Sequence, residues 1–481
     1  MIVLSVTRKV ARRVRHVKPL QFTPMSEFPA IPERGIRGEL RAMLRLAVPV
    51  VTVQVGAMFM GVVDTLMVGR VSAQAIAAVA MGNLYFFGAA IFGMGLLLAL
   101  DPVVAQAVGA GDEAAVARGV QRGLLLAGFF GVVAMLLLLP AGPILRALRQ
   151  PADVVPTAAA YARICAIGIL PFYVFIVLRQ SLQAMHRVAP IVWTIVIANV
   201  ANASLNWVFI FGHFGFPAGG AVGAAWATQI GRWLMPVLLY AFARRALAPS
   251  LSPLRPESLD PAPLRRMIAL GAPIGIQQEL EYGVFAVAGL MMGWIGTVAM
   301  AGHQVALNLA SLTFMVPLGV SGATAVLVGN AVGRGDRAEA RNAAAAGLLC
   351  GVAFMTLAAC AMLAIPGTLA RVYTSDAAVA AVAASLLPIA GVFQVFDGMQ
   401  VVSIGILRGV GDTRTPMLVN VLGFWLMGLP ASWLLGLRLG FGPRGVWWGL
   451  TLGLVVVAIF LVLRARTRLA GEVRRLVIDH P

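Results

Sequence analysis

Apolar runs recur along the whole chain, each bounded by a short polar or Pro/Gly-containing segment. A helix needs about 20 apolar residues to cross a bilayer. The runs therefore predict about twelve transmembrane helices, near 42–68, 77–107, 120–140, 157–178, 188–211, 221–243, 266–295, 301–330, 342–365, 382–407, 416–437 and 444–464. The longest polar connection, ARRALAPSLSPLRPESLDPAPLRR (243–266), is rich in Pro, Ser and Arg and reads as a linker between two halves. The expected organisation is a tail at 1–40, helices 1–6 over 41–245, a linker at 246–264, helices 7–12 over 265–466 and a second tail at 467–481.

The halves repeat one another. Pro49 aligns with Pro273, Gly69 with Gly293, and GAGD (109–112) with GRGD (333–336), all at one offset of 224 residues. With six helices per copy, both copies enter the membrane in the same sense. The fold class expected is all-α and polytopic, two six-helix lobes related by a pseudo-twofold axis along the membrane normal, with a cavity between them. Such a cavity suits a transporter.

Composition agrees: 60% of residues are hydrophobic and only 12% charged, with a mean hydropathy of +0.89. A soluble chain of this size would need a more charged surface. The net charge of +18 does not indicate nucleic acid, because the basic residues sit in tails and short loops and no zinc, RNA-binding or helix-turn-helix pattern accompanies them. Most of the 37 Lys and Arg residues fall on the side of the tails and the linker, which the positive-inside rule assigns to the cytoplasm. The first forty residues lack the apolar core of a signal peptide and read as a cytoplasmic tail. Cys165, Cys350 and Cys360 all lie in apolar segments and read as buried free thiols; the last two would be ~15 Å apart along one helix, too far to bridge.

No phosphate-binding GxxxxGK[ST] motif is present, and no His/Cys cluster has metal-ligand spacing. No catalytic residue, enzyme activity or cofactor is expected. The candidate chemistry lies in acids within spans, since a charge at the centre of a lipid-facing helix costs at least ~2.5–3.5 kcal/mol and therefore marks either a cavity with an ion or proton path or a protonated or hydrogen-bonded structural carboxyl. Asp64 lies ~33 Å of helix rise into its span, and Glu281 and Asp397 each ~22 Å. Glu279 is about 200° around the helix from Glu281, so the two cannot share a face; Glu279 reads as interfacial or bonded elsewhere. Asp101 precedes Pro102 and reads as a local kink or a cytoplasmic-end contact. Asn199, Asn202 and Asn206 share one face and suit either cation coordination beside Asp64 or helix–helix hydrogen bonding. His303 suits either structural hydrogen bonding or a proton relay. Arg408, at the cytoplasmic end of its span, reads as an interfacial anchor rather than the partner of Asp397. Asn199, Gln278, Gln394, Gln400 and His303 are candidates for auxiliary roles.

Five stretches occur in a familiar order over roughly residues 40–465: VDTLMVGRVSAQAIAAVAM, ALDPVVAQAVGAGD, LNWVFIFG, the long segment from GAPIGIQQELEYG to AVGRGD, and FDGMQVVSIGILRGVGDTRTP. Through them the chain resembles the MATE (multidrug and toxic compound extrusion) transporters, particularly the NorM-like bacterial branch. The resemblance implies a V-shaped two-lobe antiporter of a bacterial inner membrane, with both termini cytoplasmic. It would export organic, cationic or amphipathic drugs and toxins in exchange for H+ or Na+. It implies a C-lobe cation or proton site at Glu281 and Asp397, and an N-lobe site at Asp64, Asn202, Asn206 and Thr228. Where some relatives carry a tyrosine one turn before the C-lobe aspartate, this chain has Phe393; the missing hydroxyl weighs against sodium and leaves protons available. Met291, Met292, Met315, Phe393 and Phe396 cluster near the proposed cavity helices, where they suit either helix packing or a substrate cavity whose thioethers and aromatic faces accept varied flat cations. The expected partners are small organic molecules and the lipid bilayer, with no nucleic acid, and the expected state is a monomer. The alternative in the same superfamily is an exporter or flippase of a metabolite or lipid-linked substrate. Such a flippase would favour a strongly basic cavity.

Overall fold

The computed structural model describes residues 35–148, 150–472 and 474–479. The expected N-terminal tail lies mostly outside the described residues, and helix starts at Ile36, earlier than the expected start near residue 42. Among the described residues there is no β-strand. The N-terminal half comprises α1 (Ile36–Val68), α2 (Ala73–Leu97), α3 (Leu100–Gly109), α4 (Glu113–Leu138), a short α5 (Ala141–Ala147), α6 (Val155–Ile167), α7 (Ile169–Ala184), α8 (Ala189–Phe211) and α9 (Gly220–Leu251). The C-terminal half comprises α10 (Pro261–Ile295), α11 (Thr297–Arg334), α12 (Arg337–Ala364), a short α13 (Pro366–Tyr373), α14 (Ala377–Gly409), a composite passage that opens with α15 (Arg414–Asn420) and alternates between π and α geometry to Arg438, and α17 (Gly442–Ala470) after α16 (Leu429–Trp433).

Nine of these passages, plus the bent pair α6 and α7, are long and apolar enough to cross a membrane among the described residues. The two remaining long helices are α9 and α10, of 32 and 35 residues. They are more polar because they carry Gln229 and Arg232, and Gln277, Gln278, Glu279 and Glu281. With them the passages number the expected twelve. The second passage is interrupted between α2 and α3, just before Pro102. The fourth bends by 47° at the α6–α7 junction. There Pro171 removes an early helix donor, and Gly168 packs so close to α9 that a Cβ would lie 1.7 Å from Gln229 Oε1.

The internal repeat is visible as matched turns. Gly111 and Gly335 both take left-handed backbone angles (φ 67° and 75°), which glycine adopts without the cost of a side chain. The following aspartates cap the next helix in the same way, Asp112 accepting from Ala115 N and Asp336 from Glu339 N, each at 2.9 Å.

Two apolar cores dominate, one around Phe86, Tyr161 and Tyr173 and the other around Trp447, Leu450 and Leu387, and the start of α1 (Met43, Leu46, Ala47, Val50) packs into the second. Large apolar residues such as Leu66, Phe129, Leu357 and Leu426 point outward and are exposed, as a lipid-facing surface requires. The halves meet backbone to backbone through small residues. A Cβ on Gly95 would lie 2.5 Å from Gly275 Cα, and one on Gly109 would lie 2.1 Å from Asn330 O. Close approach of this kind is how helices pack when lipid removes the usual hydrophobic drive.

The expected linker is shorter and more ordered than its composition suggested. Helix α9 runs to Leu251 and α10 starts at Pro261, leaving one 3-10 turn, Pro256–Leu259, between them. Gln121 of α4 holds this connection, donating to Ser250 O and Pro253 O and accepting from Arg255 N and Ser258 Oγ. The C-terminal segment lies on the same end of the bundle, here termed the linker end. Arg475 pairs with Asp112 at 2.8 Å, and Asp479 with Arg118 and Arg122. One expectation on cysteine is corrected: Cys165 is buried, but Cys350 is half-buried and Cys360 exposed, because its side of α12 faces outward.

Candidate functional site

Two carboxylates, one in each half, sit inside polar cages built by several helices. In the N-terminal half α1 supplies Asp64, α8 supplies Asn202 and Asn206, and α9 supplies Thr228, all buried. Thr228 Oγ1 donates to Asp64 Oδ2 at 2.8 Å. The amide of Asn206 donates to Asp64 Oδ1 and to Asn202 Oδ1. Asn206 Oδ1 is buried with no hydrogen-bond partner, an acceptor left for a proton-bearing or cationic guest. All four expected N-lobe residues thus come together. Asn199 does not join them. Its amide donates to Gly56 O and Ile195 O, two turns down from Asp64, and ties α8 to α1.

Sequence reasoning missed Arg232 in this region. It lies one turn beyond Thr228, with its guanidinium 3.9 Å from the centre of the Phe86 ring and within electrostatic reach of Asp64. A lone arginine in an apolar span was the available signal.

In the C-terminal half Glu281 of α10 receives three side-chain amides on one oxygen. Gln400 of α14 and Asn420 of α15 each donate to Oε1 at 2.8 Å, and Gln277 at 3.2 Å. Gln277 and Asn420 were not among the expected residues. Gln277 lies one turn before Glu281, while the expected Gln278 turns to the other half, its Oε1 only 2.7 Å from where a Cβ of Gly95 would stand. Asn420 is distant in sequence and had no local signal. Asp397 lies three residues before Gln400 on α14, half-buried, within electrostatic reach of Glu281. Glu279 is half-buried on another face, and its Oε2 has no partner.

The remaining expected residues separate. Gln394 donates to Ala310 O at 3.0 Å and to Thr313 Oγ1, binding α14 to α11 rather than Asp397. His303 is buried and receives Trp447 Nε1 on Nδ1 at 3.2 Å. Phe393 is 3% exposed, its ring packed edge-on against Phe285 and Trp447. Met291 and Met292 are also buried in the C-terminal core. These three pack within the apolar core, the helix-packing reading of the sequence. Phe396 and Met315 are half-buried.

Arg408 overturns its expected role as an interfacial anchor. It is 7% exposed and its Nη1 lies 3.0 Å from Asp101 Oδ2 in the opposite half. The other oxygen of Asp101 accepts from the amide of Gln180. Asp101 is thus an end contact, as expected, and one that joins the two halves. Among the described residues no group of three or more His, Cys, Asp or Glu side chains could hold a metal ion.

This architecture, two helical lobes with a caged carboxylate in each, is that of a polytopic membrane protein. The MatE family model matches residues 49–208 and 273–434, one stretch in each lobe, and the chain belongs to that family of multidrug and toxin efflux transporters. Its fold is similar to that of the eukaryotic MATE transporter AtDTX14, with TM-score 0.83 at 21% identity over 91% of this chain and all of that one. It is also similar to an outward-facing multidrug resistance MATE transporter of the MOP superfamily, with TM-score 0.80 at 20% identity over 90% of this chain and 96% of that one. A MOP superfamily transporter from Pyrococcus furiosus, described with a binding pocket of reversed polarity, matches at TM-score 0.79 and 20% identity, over 90% and 96% of the two chains.

Proposed function

We propose that this protein is a proton-coupled antiporter of a bacterial cytoplasmic membrane. It exports small organic, cationic or amphipathic compounds by opening its two lobes alternately to the two sides. The linker end is cytoplasmic, since that side carries most of the basic residues. Glu281 and Asp397 in one lobe and Asp64 in the other hold the coupling protons.

The observation that carries this reading is the donor set at Glu281. Three amide N–H groups converge on Oε1, which stabilises a charged carboxylate inside the membrane without a metal. The second oxygen is left to take a proton. A sodium ion demands several oxygen ligands, and the amides present nitrogen. Phe393 supplies no hydroxyl and packs in the core. The proton would bias the lobes only by binding more tightly in one arrangement than in the other. A cationic compound competing for the same carboxylates would then leave as protons enter.

A sodium reading is favoured by one feature, the unpartnered amide oxygens of Asn206 and Gln400, which could turn toward a metal ion. Ethidium flux in proteoliposomes separates the two. The proton reading expects flux under a pH gradient alone; flux only under a sodium gradient overturns it.

A further inference from the structure

Asp101 and Arg408 are buried charges on opposite lobes, 3.0 Å apart at the linker end. Such a pair must break if that end opens, and removing one partner of a buried pair is strongly destabilising because the other charge is left alone. Each of these two charges, however, has a second opposite charge within its own lobe. Arg179 precedes Gln180 on α7 and lies within electrostatic reach of Asp101. Glu281 lies within electrostatic reach of Arg408. Both arginines also hold a donor in reserve: Arg179 donates to Gln54 Oε1 at 3.1 Å through Nη1 while its Nε has no partner, and Arg408 Nε has none either.

We propose that Asp101 and Arg408 form an exchangeable lock on the linker end. With that end closed, the two charges pair across the lobes. As it opens, Asp101 passes to Arg179 within the N-lobe, and Arg408 moves toward Glu281 within the C-lobe, which offers it a counter-charge while Glu281 is unprotonated. Gln180 holds the Asp101 carboxylate in place in both states. Asp101, Arg179 and Arg408 are positioning residues in this account; none touches the transported compound. The inference rests on the alternating-opening reading and names the residues that govern one of its two ends.

The test is a distance measured across the linker end. Ala110, on the turn after α3, and Ala338, in the first turn of α12, are exposed on the two lobes. Each is replaced by cysteine and spin-labelled after Cys165→Ala, Cys350→Ala and Cys360→Ala. Double electron–electron resonance on the full chain in proteoliposomes then gives the fraction of molecules with the end open, at acidic and alkaline pH and with ethidium. Asp101→Asn and Arg408→Gln are each expected to raise the open fraction several-fold, and the double variant no further than either one. Arg179→Gln is expected to act in the opposite sense and lower the open fraction, which a static bridge does not predict. If wild type switches and Asp101→Asn matches it, the lock is wrong; if Arg179→Gln matches wild type or opens the end, the exchange is wrong. A single unchanging distance in wild type under every condition overturns alternating opening itself, and the lock with it.

Discussion

The side-chain amide of Asn420 donates to Glu281 Oε1 at 2.8 Å, joining the seventh and eleventh membrane passages at one carboxylate. The bond links residues 139 positions apart. A hydrogen bond to a charged group contributes about 1.5–3 kcal/mol. Asn420→Leu should therefore lower thermal stability, and should do so much less when Glu281→Gln has already removed the charge. A double-mutant cycle in detergent melts measures that coupling, expected at about 0.5–3 kcal/mol. Purely additive effects would mean that Asn420 serves the fold rather than the carboxylate.

At Asp64 the hydroxyl of Thr228 plays the corresponding part. Thr228→Ser keeps the donor and should retain export. Thr228→Val keeps the shape but strips the hydroxyl, leaving Asp64 with the single amide of Asn206. Export driven by a pH gradient should fall severalfold in Thr228→Val, with the amount of protein in the membrane unchanged. Equal flux in the two variants would remove the N-lobe cage from the coupling mechanism.

The lobes approach most closely where glycines face backbone. A Cβ at Gly333 would lie 2.0 Å from Gln106 O, and one at Gly109 2.1 Å from Asn330 O. Neither carbonyl can step aside as a flexible side chain would. Gly109→Ala and Gly333→Ala should each hold the linker end apart, reduce export, and speed the reaction of a membrane-impermeant thiol reagent at a cysteine placed behind that contact. Slower reaction would contradict the packing described.

The docked C-terminal segment yields a pH prediction with a definite sign. Asp112 is held below its ordinary value of 3.8, first by the backbone N–H of Ala115 and then by Arg475. A lowered value means that the carboxylate supports the docked arrangement above the ordinary carboxylate range. That support is lost as pH falls through the lower folded value. Hydrogen exchange of residues 474–479 should therefore be constant from about pH 5 to 8 once corrected for the intrinsic rate. Any pH dependence of export in that window then does not come from the docking of this segment.

Much of the architecture was legible because each layer leaves a periodic or repeated mark. The apolar runs place the passages, and the 224-residue offset matches the turns at Gly111 and Gly335. The four N-lobe residues were legible too: three came from family motifs and helical spacing, and Thr228 from resemblance alone. What stayed hidden were partners chosen by three-dimensional packing. Asn420 reaches Glu281 from another helix, Gln277 rather than Gln278 takes the productive face, and Arg408 finds Asp101 at a separation of 307 residues. Phe393 is a related case: its position on α14 fixes its height but not which side of the helix turns inward, so packing and cavity lining stayed open in the sequence.

The central claim is that Glu281 couples the energy source to export. The most direct test is ethidium flux in proteoliposomes under an imposed pH gradient, with wild type beside Glu281→Gln at equal reconstitution. Glutamine fits the same cage without titrating. The account predicts gradient-driven flux in wild type and its loss in Glu281→Gln, with ethidium exchange at equal pH still measurable. Gradient-driven export by Glu281→Gln at the wild-type rate would contradict it.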